Sequence, residues 1–86
     1  MRTSILFKTD IFTVNNAANS ENILVGAADG AVELYHNGLK KFETTANGVL
    51  LADDVKITLG NNDDFSIYHS PNNNYIDADT GTLNIR

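Results

Sequence analysis

The chain of 86 residues contains no cysteine, no tryptophan and a single proline. Without cysteine, disulfides are excluded, although they are a usual support of small domains together with metals and oligomerisation. The absence also fits synthesis in a reducing compartment. Only two histidines, His36 and His69, are present and they lie far apart in sequence, so a structural metal or another cofactor is not expected. Because a domain of this length buries a modest fraction of its surface, we expect association with other chains to stabilise it.

Basic residues are also scarce, since six Lys and Arg face eleven Asp and Glu and the net charge is −5. The basic residues are dispersed, and Lys40-Lys41 is their one adjacent pair. Binding to nucleic acid needs a clustered basic face, and an acidic surface is repelled by anionic membranes. The apolar run Ile5–Phe7 is too short for a signal peptide, and no stretch reaches the roughly 20 apolar residues of a membrane span. We therefore expect neither nucleic-acid binding nor membrane insertion.

The chain repeats itself at a spacing of 33 residues. The matching positions are Val32-Glu33-Leu34-Tyr35-His36 with Phe65-Ser66-Ile67-Tyr68-His69, Phe42 with Tyr75, Gly48 with Gly81, and Leu50 with Leu83. Such a repeat indicates that one small supersecondary unit is used twice, and stacked units form elongated structures that hold, space or present other molecules. We expect residues 1–86 to form a single β segment, with an N-terminal β region over 1–21 and repeats over about 22–54 and 55–86.

Turn-forming residues separate short runs rich in Ile, Val, Phe, Tyr and Thr, and this pattern is typical of an all-β fold. Asn37-Gly38 and Asn47-Gly48 are dipeptides favoured in two-residue type I′ hairpins. No window carries a sustained helical period. The predicted strands lie near residues 4–8, 11–14, 22–25, 31–36, 40–45, 48–51, 55–59, 65–69, 74–77 and 82–85.

Alternation along the strands predicts which side chains face a core. Val32 and Leu34 share one face, while Glu33 and Tyr35 share the other. Each strand offers two or three apolar side chains, worth roughly 1.5–3 kcal/mol each when buried, against about 1–2 kcal/mol for ordering each residue. Identical chains wrapped around one axis would cover these faces and the open strand edges. The residues expected to line the core of such a homotrimer are Val32, Leu34, Phe42, Val55, Ile57, Phe65, Ile67, Leu83 and Ile85.

Four segments carry a resemblance to a known group: Phe7–Asn15, Gly30–Gly38, Lys40–Thr45 and Asp64–His69. They resemble repeats of bacteriophage tail-fibre and related virion structural proteins, especially those of marine tailed phages. The resemblance implies a homotrimeric shaft built as an interwoven β-helix or β-prism. It also implies synthesis in the host cytoplasm, a place in the virion tail, contact with other phage tail proteins and a part in host attachment. Ser70-Pro71-Asn72 replaces the Asp-Gly-Ser turn expected after Tyr-His, and the chain is shorter than a whole fibre. We therefore expect a fragment, a short fibre or the ordered part of a longer polypeptide.

Several clusters of polar residues are candidates for reactive or metal sites. His36 and His69 each follow a Tyr and precede a turn, and they lack the His-x-His pair that metal-binding phage fibres use, so a turn or surface role is favoured over metal binding. Asp63-Asp64 and the pair Asp77 and Asp79 are rich in oxygen but have no EF-hand spacing. Turn capping explains them more simply. No carboxylate pair meets the requirements of a glycosidase, so we expect no catalytic residues and no enzymatic activity.

The alternative function is a carbohydrate-binding module that recognises host surface glycans. Tyr is amphipathic and frequent at recognition surfaces. The candidate glycan contacts are Asn72, Asn73, Asn74 and Tyr75. An architectural role, in which the repeated Tyr residues cover the edge of the next repeat, is favoured over sugar binding.

Overall fold

The structure, a computed structural model, describes residues 3–86 and is all-β. Every strand pairing among these residues is antiparallel. The strands of the described range are β1 Ile11–Asn15, β2 Asn22–Ala27, β3 Val32–His36, β4 Leu39–Thr45, β5 Gly48–Leu50, β6 Ile57–Leu59, β7 Phe65–Ser70 and β8 Asn73–Ala78. The all-β prediction is confirmed. The strands predicted near 4–8 and 82–85 are wrong for the single chain, because these residues pair with no strand.

The chain divides after Leu50 into two compact units. In the first unit, β1 to β5 form one sheet in sequence order, so each strand pairs with the next along the chain. In the second unit, β6, β7 and β8 form a three-stranded sheet in the same manner. Each sheet is therefore a meander in which short turns connect neighbouring strands.

The two predicted Asn-Gly hairpins have different outcomes. His36 pairs with Leu39, and Asn37 and Gly38 between them both have positive φ, 53° and 76°, as a type I′ turn requires. That prediction is confirmed. Thr45 pairs with Gly48, so the second turn is formed by residues 46 and 47, and the positive φ of 141° falls on Gly48 in the strand. The type I′ prediction at Asn47-Gly48 is wrong, because the hairpin closes one residue earlier.

The sequence repeat is also a repeat of strand register. Leu24 pairs with Leu34 in β2 and β3, and Ile57 pairs with Ile67 in β6 and β7, so both members of each pair are offset by 33 residues. The two pairs that follow along β2 and β6 obey the same rule, since Val25–Glu33 matches Thr58–Ser66 and Gly26–Val32 matches Leu59–Phe65. The unit that recurs is therefore an antiparallel strand pair whose alignment is kept.

The two copies of the repeat differ in register in the hairpin that follows, which is β3–β4 in the first copy and β7–β8 in the second. In the first copy Leu34 pairs with Phe42 and Tyr35 with Lys40, so Lys41 is an extra residue in a β-bulge. In the second copy the pairing is continuous, and Tyr75, which corresponds to Phe42 in sequence, pairs with Tyr68. Since a shift of one residue moves a side chain to the other face, Phe42 and Tyr75 point to opposite sides of their sheets. The equivalence expected from their spacing is therefore wrong.

Neither sheet has a buried apolar core in the single chain. No apolar residue among residues 3–86 is buried, and the buried residue is Ser66, which is 5% exposed. The chain exposes 7331 Å², whereas a compact protein of its mass would expose about 5,000 Å², and two separate compact units of these sizes about 6,000 Å². The apolar faces of both sheets therefore lie uncovered.

Candidate functional site

The five-stranded sheet carries a row of apolar side chains across four strands. Val14 pairs with Leu24, Leu24 with Leu34, and Leu34 with Phe42. Directly paired residues project from the same face of a sheet, so the row forms a continuous stripe. Leu34 at its centre is 42% exposed. We call this surface the first apolar face, and by strand alternation it consists of Phe12, Val14, Leu24, Val32, Leu34, Phe42 and Val49.

We call the opposite face of this sheet its polar face because a charged cluster lies at its centre, although by alternation it also carries Ile11, Val25 and Leu50. Glu33 and Glu43 are direct cross-strand partners, an arrangement that is destabilising for like charges. Lys40 lies between them, with its Nζ 3.0 Å from Glu43 Oε2 and 3.4 Å from Glu33 Oε2. The hydrogen bond to Glu43, assisted by that to Glu33, raises the pKa of Lys40 above its usual 10.5. Tyr35 Oη also donates to Glu33 Oε1 at 3.0 Å. The charged groups of this face therefore have partners within the chain, while Ile11 and Leu50 on the same face are 63% and 50% exposed.

The three-stranded sheet repeats this division into an apolar and a polar face. Ile57 pairs with Ile67, and Ile67 pairs with Ile76, so three isoleucines cross the sheet in one row. The side chains of Ile57, Ile67 and Ile76 line an open depression of about 690 Å³, together with Val55 and Leu51. We call the surface around this row the second apolar face, and by alternation it consists of Ile57, Leu59, Phe65, Ile67 and Ile76.

Most of the residues expected in a trimer core lie on one of the two apolar faces. Val32, Leu34 and Phe42 lie on the first apolar face. Ile57, Phe65 and Ile67 lie on the second. Val55 precedes β6 but lines the same depression. Their burial between chains stays a prediction.

Two expected core residues lie apart from the sheets, and several residues of the apolar faces were not predicted, namely Phe12, Val14, Leu24, Val49, Leu59 and Ile76. Leu83 and Ile85 follow β8 in a segment without strand pairing and are 45% and 89% exposed. Ile76 was missed, although its alternation with Tyr75 was visible, because its face depends on where the β7–β8 turn closes. Ser70 pairs with Asn73, and this places Ile76 beside Ile67.

The candidate glycan contacts are divided between the two faces of the second sheet. Asn73 and Tyr75 alternate onto the polar face, where the Tyr75 ring stacks on Tyr68 with centroids 4.8 Å apart. Lys56 Nζ lies 4.5 Å from the Tyr68 centroid, within the range of a cation–π interaction. Asn73 Nδ2 is 3.5 Å from Tyr75 Oη. Asn72 lies in the turn between β7 and β8. The polar face therefore presents an aromatic pair.

Asn74 lies on the same side of the sheet as the second apolar face, where it contacts His69. The two residues are cross-strand partners, and His69 Nδ1 is 2.7 Å from Asn74 Oδ1. His69 Nε2 is 3.9 Å from Asp53 Oδ1, and the His69 carbonyl accepts a hydrogen bond from the Asp54 amide at 2.7 Å. These contacts tie the 53–54 turn to the end of β7. They match the turn-stabilising role expected of this histidine.

The acidic pairs also lie in or beside turns. Asp63 and Asp54 have positive φ, 56° and 64°, and the Asp64 carbonyl accepts hydrogen bonds from the amides of Asp79 and Thr80. No group of three or more His, Asp or Glu side chains within residues 3–86 is arranged to hold a metal ion.

No protein-family model, characterised protein or solved structure is significantly similar to this chain. Over the described residues, the structure contains no helix with the length and apolar character needed to cross a bilayer.

Proposed function

We propose that this chain is a structural segment that assembles with copies of itself into a homotrimer. In this proposal it forms part of the shaft of a phage tail fibre in the virion and supports host attachment. The observation that carries the proposal is that each sheet leaves a row of apolar side chains uncovered, Val14–Leu24–Leu34–Phe42 in one sheet and Ile57–Ile67–Ile76 in the other. The tail-fibre assignment is supported by the resemblance of the four sequence segments described above.

The physical reason for assembly is the cost of leaving the apolar faces in water. The chain exposes about 1,300 Å² more than two compact units of the same sizes would. A stable interface of ordinary size buries about 800 Å² on each partner. Contiguous apolar patches of more than a few hundred Å² are rare on monomeric proteins and mark interaction surfaces. Covering one face on each sheet with neighbouring chains would remove part of this excess, to which exposed residues outside the strands such as Ile5 and Ile85 also contribute.

The polar faces fit the outside of such an assembly. The Glu33–Lys40–Glu43 cluster and the Tyr68–Tyr75 pair both lie on the faces that the proposal leaves in solvent. A rigid trimer would present any terminal binding site three times, and multivalent attachment raises avidity by orders of magnitude without new contacts. This is how a chain without a catalytic site would contribute to host attachment.

The first test places one charge on either face of the five-stranded sheet. Leu34→Asp puts a carboxylate at the centre of the first apolar face, and Thr13→Asp puts one on the opposite face, where Thr13 pairs with Val25. Burial of an unpaired charge costs several kcal/mol. We expect Leu34→Asp to abolish assembly and Thr13→Asp to leave it intact. Light scattering of the unmodified chain should give about three times the 9.4 kDa chain mass.

Equal assembly of the two variants would show that the first apolar face is not the interface. Circular dichroism of both variants, recorded at one protein concentration, separates loss of assembly from loss of the strands. The proposal requires that Leu34→Asp changes the mass by far more than Thr13→Asp does.

A carbohydrate-binding module is the second candidate, and one observation favours it. Tyr75 is 40% exposed and lies on the polar face, which stays accessible when the apolar face is covered. Aromatic rings that are apolar on one side and polar at the tip suit recognition surfaces. A single stacked pair without Asn74 on the same face is a small platform, so this function ranks second.

A glycan array separates the two candidates. If the assembled protein acts as a shaft alone, no glycan should be retained selectively. Selective binding that is lost in Tyr75→Ala, but kept in Asn74→Ala on the other face, would establish the module instead. Both variants should keep the mass of the unmodified chain.

A further inference from the structure

The two copies of the repeat differ in how they end. In the first copy, β5 pairs with β4, and its contacts join Glu43 to Leu50, Thr44 to Val49 and Thr45 to Gly48. The matching residues 33 positions later are Gly81, Thr82 and Leu83, which belong to no strand. Within residues 51–86, β8 pairs with β7 on one side only. The second copy therefore has the sequence of its fourth strand but does not pair it.

The turn after β8 explains why this segment does not pair with its own β8. The amides of Asp79 and Thr80 both donate to the Asp64 carbonyl, at 2.9 and 3.4 Å. These bonds hold residues 79 and 80 beside the start of β7, where the corresponding residues 46 and 47 of the first copy form a tight hairpin turn. The residues that follow belong to no strand, and Leu83 and Ile85 are exposed.

The first copy also supplies a register for the missing strand. Adding 33 to each β4–β5 pair opposes Leu83 to Ile76, Thr82 to Asp77 and Gly81 to Ala78. In this register Leu83 continues the Ile57–Ile67–Ile76 row and Ile85 follows on the same face, while Thr82 and Asn84 lie on the polar face. A register shifted by one residue would reverse this division. Apolar continuity and the repeat therefore select the same alignment.

We propose that residues 81–85 of one copy pair antiparallel with the β8 edge of a second copy. Strand addition to an open edge joins chains through main-chain hydrogen bonds, and alternate side chains supply specificity. The occupant is a second copy because each chain carries the donor segment, the acceptor edge and a surface excess of interface size. This inference rests on the proposed self-assembly.

The geometry of the contact also limits the assembly. Donor segment and acceptor edge are different surfaces, so the contact is heterologous, and such contacts close into rings or extend as filaments. A closed ring, such as one of three chains, satisfies every donor and every acceptor once. Strand addition is therefore compatible with the proposed trimer, in which contacts between the apolar faces add to it.

The test uses disulfide trapping, which the chain allows because it has no native cysteine. Residues opposed on antiparallel strands have Cα atoms about 4.5–5.5 Å apart, within the range of a disulfide. The Asp77→Cys chain and an isotope-labelled Thr82→Cys chain are unfolded together, refolded and oxidised. We expect a covalent pair containing one chain of each kind, at least tenfold more abundant than in the control. The control replaces Thr82→Cys with Leu83→Cys, whose side chain projects to the other face.

The doubly substituted chain carrying Asp77→Cys and Thr82→Cys tests pairing within one chain. An internal disulfide in this chain, with no crosslink in the mixture, would overturn the proposal in favour of an intramolecular hairpin. Equal crosslinking of Thr82→Cys and Leu83→Cys would overturn the register. If light scattering shows an assembly but the mixture gives no crosslink, strand addition fails while self-assembly stands. A monomeric unmodified chain would overturn both.

A second measurement avoids cysteine altogether. Leu83→Asp places a charge on the second apolar face only when the segment is paired as proposed, whereas Asn84→Asp places the same charge on the polar face. We expect Leu83→Asp to raise the concentration at half-assembly by about tenfold or more, and Asn84→Asp to change it by less than about threefold. Equal effects would contradict the proposed strand.

Discussion

At the scale of single residues, the polar face of the first sheet shows how a local electrostatic conflict is resolved. Glu33 and Glu43 oppose each other across β3 and β4, and the ammonium group of Lys40 contacts both carboxylates. An exposed ion pair contributes little stability by itself. Here the cation chiefly removes a repulsion between two partly buried acids, so its contribution depends on both partners.

The pKa of Lys40 tests this cluster directly. It is raised above 10.5, with the hydrogen bond to Glu43 as the largest cause. Glu43→Gln should therefore lower the pKa of Lys40 towards 10.5, and Glu33→Gln should lower it less, because Glu33 lies farther away. The ¹³Cε chemical shift of Lys40, followed through an alkaline titration, measures both effects. A Lys40 pKa that is unchanged in Glu43→Gln would remove Glu43 as the cause.

The direction of the pKa shift also fixes a pH dependence. Because the folded state raises the pKa of Lys40, the stabilisation is fully present below the unfolded value near 10.5 and is lost as the pH rises through the folded value. The unfolding midpoint in urea, compared between the unmodified chain and Lys40→Met, should therefore converge at strongly alkaline pH. A difference that grows with pH would have the wrong sign.

At the scale of elements, turn geometry decides how strand faces are assigned. The β3–β4 hairpin closes on Asn37 and Gly38, both with positive φ, and a bulge at Lys41 returns Phe42 to the apolar face. The β7–β8 hairpin closes one residue later in the repeat, on residues 71 and 72, and continues without a bulge. Small differences in two turns thus place Phe42 and Tyr75 on different faces.

Gly38→Ala tests the first of these turns. The residue has a φ of 76°, and a Cβ there would lie 3.1 Å from Glu21 Oε2. An L-residue in this conformation costs about 1–2 kcal/mol, so the free energy of unfolding in urea should fall by about that amount at fixed chain concentration. Asn37→Gly, at the neighbouring positive φ, should change it by less than about 0.5 kcal/mol. Equal losses in the two variants would contradict the turn assignment.

The sequence predicted the elements better than their partners. Alternation assigned Val32 and Leu34 to one face because each side chain's direction is a local property of the strand. The segments 4–8 and 82–85 have the same composition as the true strands but form none in the single chain, because a strand requires a paired edge as well as propensity. The face of Tyr75 was not predictable from spacing, since it depends on a one-residue difference between turns.

At the scale of the whole molecule, both sheets have an apolar face in contact with solvent, and the proposed self-association would cover both faces. Each carries an apolar face that no described residue of the chain buries. Compact domains cover such faces with a second layer of secondary structure. The proposed association with identical chains would supply that cover, and the repeat and the open β8 edge both fit it.

The molar mass of the unmodified chain in solution tests this claim most directly. Multi-angle light scattering over a dilution series from high to low micromolar concentration should give a constant value of about three times 9.4 kDa. A well-folded species of 9.4 kDa throughout that series would contradict the account, because its apolar faces would then be stable in water without a partner.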